Sequence, residues 1–321
     1  MRRIVATIFF GPHGLRSGWR VALFLVLAVV LALALSVVRP RMASLDLRIL
    51  PGELCQALAA AGATWIMARL DGRPFTSYGL ASFGGGRNFA AGSVVGFAAL
   101  SLLIGLLTIS GAYRFEAPAL TGATALKWAI YWLATFALVG VSEEMLSRGY
   151  PMFALAEGIG IRPAALIVAL LFGLGHLGNG GEQIFGIGNA VLAGLVFAYS
   201  VHWSGSLWWA IGAHMSWDWA ETFFYGTADS GGTAQHHFLS AYANGPAWLS
   251  GGTVGPEGSV LCTAVLVLMA AAVRVTAPYR PPTYAPSEIP PPASSPSISP
   301  SMYSADSGDT NSEESGDPEQ S

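Results

Sequence analysis

The sequence predicts an all-α fold, a polytopic transmembrane bundle of about eight helices followed by a disordered tail. Three observations carry that expectation. Of 321 residues, 53% are hydrophobic and 11% charged, with a mean hydropathy of +0.51, whereas soluble domains hold about 25% charged residues. Apolar stretches approaching the roughly 20 residues that cross a hydrocarbon layer of about 30 Å recur along the chain. Many of the 39 glycines fall inside those stretches, among them Gly96, Gly105, Gly173, Gly175, Gly194 and Gly212. They would weaken soluble helices, but in lipid small residues let helix backbones approach closely.

In chain order, residues 1–17 form a cytoplasmic segment carrying Arg2, Arg3 and Arg16. The bundle occupies 18–277, with apolar stretches at 21–38, 54–68, 90–109, 128–141, 163–177, 186–202, 207–224 and 260–273. Several are short and need their flanks to span. The first resembles a signal peptide, but its run exceeds the 7 to 15 residues of a signal core, so it stays as a helix. Trp203, Trp208 and Trp209 read as interfacial anchors between the sixth and seventh stretches.

Residues 225–258 contain no lysine or arginine and are rich in glycine, which fits an external loop whose adjacent His236 and His237 are solvated. Residues 278–321 are rich in Pro, Ser and acid and read as a disordered cytoplasmic tail. That tail holds one of the sixteen basic and seven of the nineteen acidic residues, so the net charge of −3 conceals a body of about +3. Cys55 and Cys262 are the only cysteines, too few for a disulfide framework or a four-cysteine zinc site, and read as packing residues.

With eight spans and both termini cytoplasmic, Arg2, Arg3, Arg16, Arg20, Arg69, Arg73, Arg87, Arg148, Arg162, Arg274 and Arg280 fall inside. Arg39, Arg41, Arg48, Arg114 and Lys127 fall outside. The bias obeys the positive-inside rule.

Ionisable residues at membrane depth are costly, about 2.5 to 3.5 kcal/mol each on a permissive scale, and so mark function. The fourth stretch ends in Glu143-Glu144-Met145-Leu146-Ser147-Arg148, where Glu144 and Arg148, four apart, share a face and Glu143 stands about 100° away. One carboxylate is thus paired within the helix and the other left available, the bland alternative being an ordinary helix end at the interface. His176 follows Phe172 by four residues, near the far end of its own helix, so meeting Glu143 requires a tilt, a break or different span limits. His214 and Asp218 again share a face, and Glu221 reads as interfacial. Each motif alone has a bland alternative: an arginine snorkelling to headgroups, a structural histidine, a self-neutralised pair. Six such residues facing lipid separately would cost on the order of 15 kcal/mol, so one shared polar cavity is the cheaper arrangement.

These motifs resemble the CPBP family of CAAX-processing and bacteriocin-processing intramembrane proteases, also called the Abi or type II CAAX prenyl endopeptidase family. The pattern is Glu-Glu-x-x-x-Arg at Glu143, Glu144 and Arg148, Phe-x-x-x-His at Phe172 and His176, and His-x-x-x-Asp at His214 and Asp218. The likeness covers about residues 126–225. It implies that Glu143 with His176 activates water, that Glu144 and Arg148 hold the helix and polarise the site, and that His214 with its partner stabilises the oxyanion. Some members carry asparagine at position 218, whose amide donates, whereas ionised aspartate only accepts. Asp218 is therefore expected to orient and charge His214, which becomes the donor.

The resemblance leaves two options for a cofactor. Glu143, His176 and His214 could hold zinc with water as a fourth ligand, or the reaction could be metal-free. The implied partners are membrane lipid and a peptide or protein substrate, prenylated or bacteriocin-like, with no nucleic acid, and the implied location is the plasma (inner) membrane. His-Glu-x-x-His, Gly-x-Ser-Gly and Gly-x-Gly-Asp are absent, so site-2, rhomboid-like and presenilin-like proteases fit worse. A non-catalytic immunity or scaffold protein and a proton-coupled transporter are the competing classes, the latter weakened by the lack of two related halves.

Overall fold

The computed structural model describes residues 8–12, 14–38, 45–81, 84–181 and 184–284. In chain order the helices are α1 (Ser17–Val37), α2 (Leu45–Leu70), α3 (Gly85–Ile109), α4 (Gly122–Ser147), α5 (Tyr150–Ile159), α6 (Ile161–Gly175), α7 (Ile184–Ser204), α8 (Trp208–Trp219), α9 (Ala247–Ser250) and α10 (Val260–Thr276). Two small antiparallel sheets join β1 (Phe10–Gly11) to β2 (Gly14–Leu15) and β3 (Tyr113–Glu116) to β4 (Ser240–Ala243). All eight apolar stretches are thus helical, and α5 and α9 are additions.

Five helical segments are long and apolar enough to cross a membrane: Ser17–Val37, Gly85–Ile109, Gly122–Ile159, Ile161–Gly178 and Ile184–Ser204. The chain is a multi-pass membrane protein built as an all-α bundle. The other three expected spans differ for physical reasons. Helix α2 carries Asp46, Arg48, Glu53 and Arg69 along its length, α8 has only 12 residues before a π turn at Ala220–Tyr225, and α10 has 17.

The apolar helical segment bearing Glu143 runs on past the fourth expected stretch. Helix α4 is interrupted only at Arg148 and Gly149, both of whose N–H groups donate to the Glu144 carbonyl, at 2.8 and 2.9 Å. A side chain at Gly149 would run into the Met145 backbone. Helicity then resumes in α5, and α4 and α5 together make one apolar segment, Gly122–Ile159.

Small residues set the closest packing. Gly92 and Gly96, four apart on α3, lie where any Cβ would fall on the carbonyl oxygens of Trp209 and Ala213 in α8. Gly212 of α8 meets the Phe89 carbonyl in the same way. This is the small-x-x-x-small contact by which helices associate in lipid. Gly173 of α6 likewise abuts Val191 of α7.

At the other end of Gly122–Ile159, Glu157 of α5 accepts from Arg20 of α1 at 2.6 Å and also pairs with Arg73, while Tyr78 donates to Asp71 at 2.8 Å. Arg20 pairs with Asp71 as well. Arg20 and Arg73, two arginines of the charge bias, are therefore engaged by protein carboxylates, which weakens that bias as an argument for orientation. Arg2, Arg3, Arg39 and Arg41 lie outside the described residues.

Three further expectations need correction. Trp209 is fully buried and its indole N–H donates to Thr276 at 3.0 Å. Trp209 is thus a packing element rather than an anchor, while half-buried Trp203 donates to the Ala277 carbonyl at 3.1 Å. His236 is not a free loop histidine: its Nδ1–H donates to Asp46 at 2.7 Å and its ring stacks on Trp128 at 3.7 Å. The packing also continues to Tyr284, whose ring contacts Phe153, and the Arg280 N–H donates to the Trp203 carbonyl at 2.7 Å. The rest of the expected tail, 285–321, lies outside the described residues.

Candidate active site

The depth of the motif residues follows from counting helix rise. Glu143 precedes the end of α5 by sixteen residues, about 24 Å at 1.5 Å per residue. Helix α6 starts at Ile161 and returns fifteen residues to His176, about 22 Å. Whatever the angle between α4 and α5, the Glu143 and His176 side chains line the same cavity.

His176 caps α6 and opens a 3-10 turn, His176–Gly178. Its Nδ1–H donates to the Phe172 carbonyl at 2.8 Å, which leaves Nε2 to accept. Phe172, the other fixed residue of that motif, lies under the Arg148 guanidinium, 4.2 Å from ring centroid to Cζ. It also stands edge-on to His214 at 6.1 Å.

Glu144 and Arg148 pair at 2.9 Å, both with no exposed side-chain surface. Arg148 is boxed by the faces of Phe172 and Phe197 and by Gly194, where a Cβ would come 2.9 Å from Nη2. Such a desolvated ion pair resists removal of either partner.

The same Glu144 Oε1 also accepts from His214 Nδ1–H at 3.0 Å, tying α4 to α8. His214 Nε2 lies 3.7 Å from Glu143 Oε2 and 3.5 Å from Asp218 Oδ2. The ring stacks on Phe197, 5.4 Å away. Glu144 rather than Asp218 makes the short bond that orients His214, a partnership that the i, i+4 spacing could not reveal.

Glu143, His176, His214 and Asp218 line one cavity of about 320 Å³. The Glu143 side chain is 39% exposed, in contrast to the sealed Glu144 beside it. Sequence reasoning missed that Asp229, Ser230 and Glu257 from the long connection after α8 form part of the same wall. Glu221, expected at the interface, is fully buried. Burial, with the Glu257 charge beside it, pushes the Asp229 carboxyl upward from its ordinary value. A connection free of lysine and arginine that still carries acids was the signal available for these residues.

The donor types of Glu143, His176 and His214 suit zinc, and the Glu144 bond to His214 resembles the carboxylate that commonly orients a zinc-bound histidine. Their ligand atoms, however, do not gather within 4.8 Å of one another. Among the described residues, the set of three that does is Glu221, Asp229 and Glu257. The chemistry below is therefore derived without an ion.

Residues 125–220 match the family described as Rce1-like, type II CAAX prenyl endopeptidase Rce1-like. This segment is an Rce1-like domain. It opens within α4, closes at the end of α8 and contains all six motif residues. The Rce1-like domain supplies Glu143, His176, His214 and Asp218 to the cavity, whereas Asp229 and Glu257 come from beyond its end. No curated protein and no solved structure matches the chain.

Proposed function

We propose that this chain is an intramembrane endopeptidase that hydrolyses a peptide bond near the membrane by metal-free attack of water. The observation that carries the reading is the convergence of Glu143, His176 and His214 from three helices on one cavity. Glu143, the accessible carboxylate, takes a proton from water. The hydroxide adds to the carbonyl carbon, and the C–N bond breaks as that proton passes to the leaving amine. His176, with Nδ1 engaged by Phe172, offers Nε2 to position the water.

The oxyanion needs a preorganised donor. His214 supplies it from Nε2 when the ring carries both protons, one held by Glu144 at Nδ1. Asp218 and Glu143, 3.5 and 3.7 Å from Nε2, stand where they hold the second proton until substrate arrives. Glu144 and Arg148 act through His214 and are positioning residues.

The substrate is a peptide or protein delivered from the lipid phase, of the prenylated C-terminal or bacteriocin-like kind. The protein works in the plasma (inner) membrane with both termini cytoplasmic. Comparison of membrane peptides from cells carrying the intact chain and Glu143→Ala tests the reading. An uncut precursor should accumulate only in the variant, and identical peptide sets would contradict it, as a non-catalytic scaffold predicts.

A further inference from the structure

Beyond the Rce1-like domain, three carboxylates converge from separate elements. Glu221 comes from the π turn Ala220–Tyr225, Asp229 from the connection that follows, and Glu257 from the 3-10 turn Pro256–Gly258 before α10. One oxygen from each lies within 4.8 Å of the others. Donors aim two of them: the Thr222 hydroxyl donates to Asp229 at 2.9 Å, and Trp217 Nε1–H and the Ser230 hydroxyl donate to Glu257 at 3.1 and 2.9 Å.

Glu221 is the independent observation. Its side chain has no exposed surface, and neither carboxylate oxygen has a hydrogen-bond partner. Buried polar groups are almost always satisfied, and a buried carboxylate left alone is among the costliest exceptions. Among the described residues, no lysine or arginine pairs with any of the three. A small cation seated between the oxygens would partner all three carboxylates at once.

We propose that Glu221, Asp229 and Glu257 bind a hard divalent cation of the calcium class. The donors are all oxygen, with no imidazole or thiolate in the set, which disfavours zinc. Calcium accepts six to eight oxygens and tolerates irregular shells completed by backbone carbonyls and water. The Ala228 carbonyl lies close by, pressed against Gly255, where a Cβ would also come 3.1 Å from Glu221 Oε1. The bound cation clamps the π turn, the connection after it and the start of α10. It thereby fixes the cavity wall formed by Asp229 and Glu257, without touching the reacting atoms.

The test is calcium titration by calorimetry of the purified full-length protein in detergent, after chelator treatment and desalting. The expected result is saturable binding at one site, lost in Glu221→Gln and in Asp229→Asn but retained in Glu143→Gln, together with a calcium-dependent rise in Tm. Absence of saturable binding by the unmodified protein would overturn the proposal, whatever the variants do. So would binding that survives both Glu221→Gln and Asp229→Asn, or that disappears in Glu143→Gln. Tighter binding of zinc than of calcium would overturn the assignment of cation class.

Discussion

At the scale of single residues, one oxygen holds the site together: Glu144 Oε1 accepts from Arg148 on its own helix and from His214 on another. Glu144→Ala leaves Arg148 sealed in the bundle without a counter-charge, and loss of about 3 to 5 kcal/mol is expected on denaturant unfolding in detergent. Asp218→Asn removes a charge from the cavity wall while keeping its volume. The fold should persist with an unchanged melting profile and a lowered kcat, and unchanged kcat would argue against Asp218 charging His214. Because Glu143, His176 and His214 do not gather around one ion-sized point, activity should survive treatment with the zinc chelator 1,10-phenanthroline. Its loss, restored by zinc, would count against the metal-free reaction. The pairs at i, i+4 were readable in the sequence because helix geometry fixes them. The Glu144–His214 bond was not, since spacing along one helix says nothing of which neighbour it meets. Asp229 and Glu257 were hidden because an irregular connection has no period to read.

At the scale of elements, hydropathy located the helices because each apolar run has no alternative solvent but lipid or protein. It missed the resumption of helix in α5, since Arg148 and Gly149 look like a terminus. The contact of α3 with α8 positions His214, and glycine spacing alone announced only that close contacts exist. A Cβ at Gly96 would collide with the Ala213 carbonyl, whereas one at Gly105 meets nothing within 4 Å. Gly96→Ala should therefore lower both Tm and activity, and Gly105→Ala should leave both unchanged. Equal behaviour of the two variants, in a thermal melt and a cleavage assay, would contradict this account of the α3–α8 contact.

At the scale of the whole molecule, a membrane bundle shelters a cavity whose walls come from the Rce1-like domain and from the segment that follows it. Composition disclosed the bundle; among the described residues five helical segments are long and apolar enough to cross a membrane, while charges inside α2 and the shortness of α8 and α10, which apolar runs alone do not register, set those three apart. Tyr284 and Arg280, which composition assigned to the tail, make contacts with Phe153 and Trp203 of the bundle. Truncation before Ala277 removes the acceptor for Trp203 and should lower the Tm in a thermal melt.

The central claim is that Glu143 drives peptide hydrolysis in that cavity. It is tested most directly by reconstituting the purified chain in liposomes with a prenylated C-terminal peptide carrying a quenched fluorophore. The account predicts cleavage by the intact protein and a loss of about 10²-fold or more in Glu143→Gln, with the fold unchanged. Equal cleavage by Glu143→Gln would contradict it.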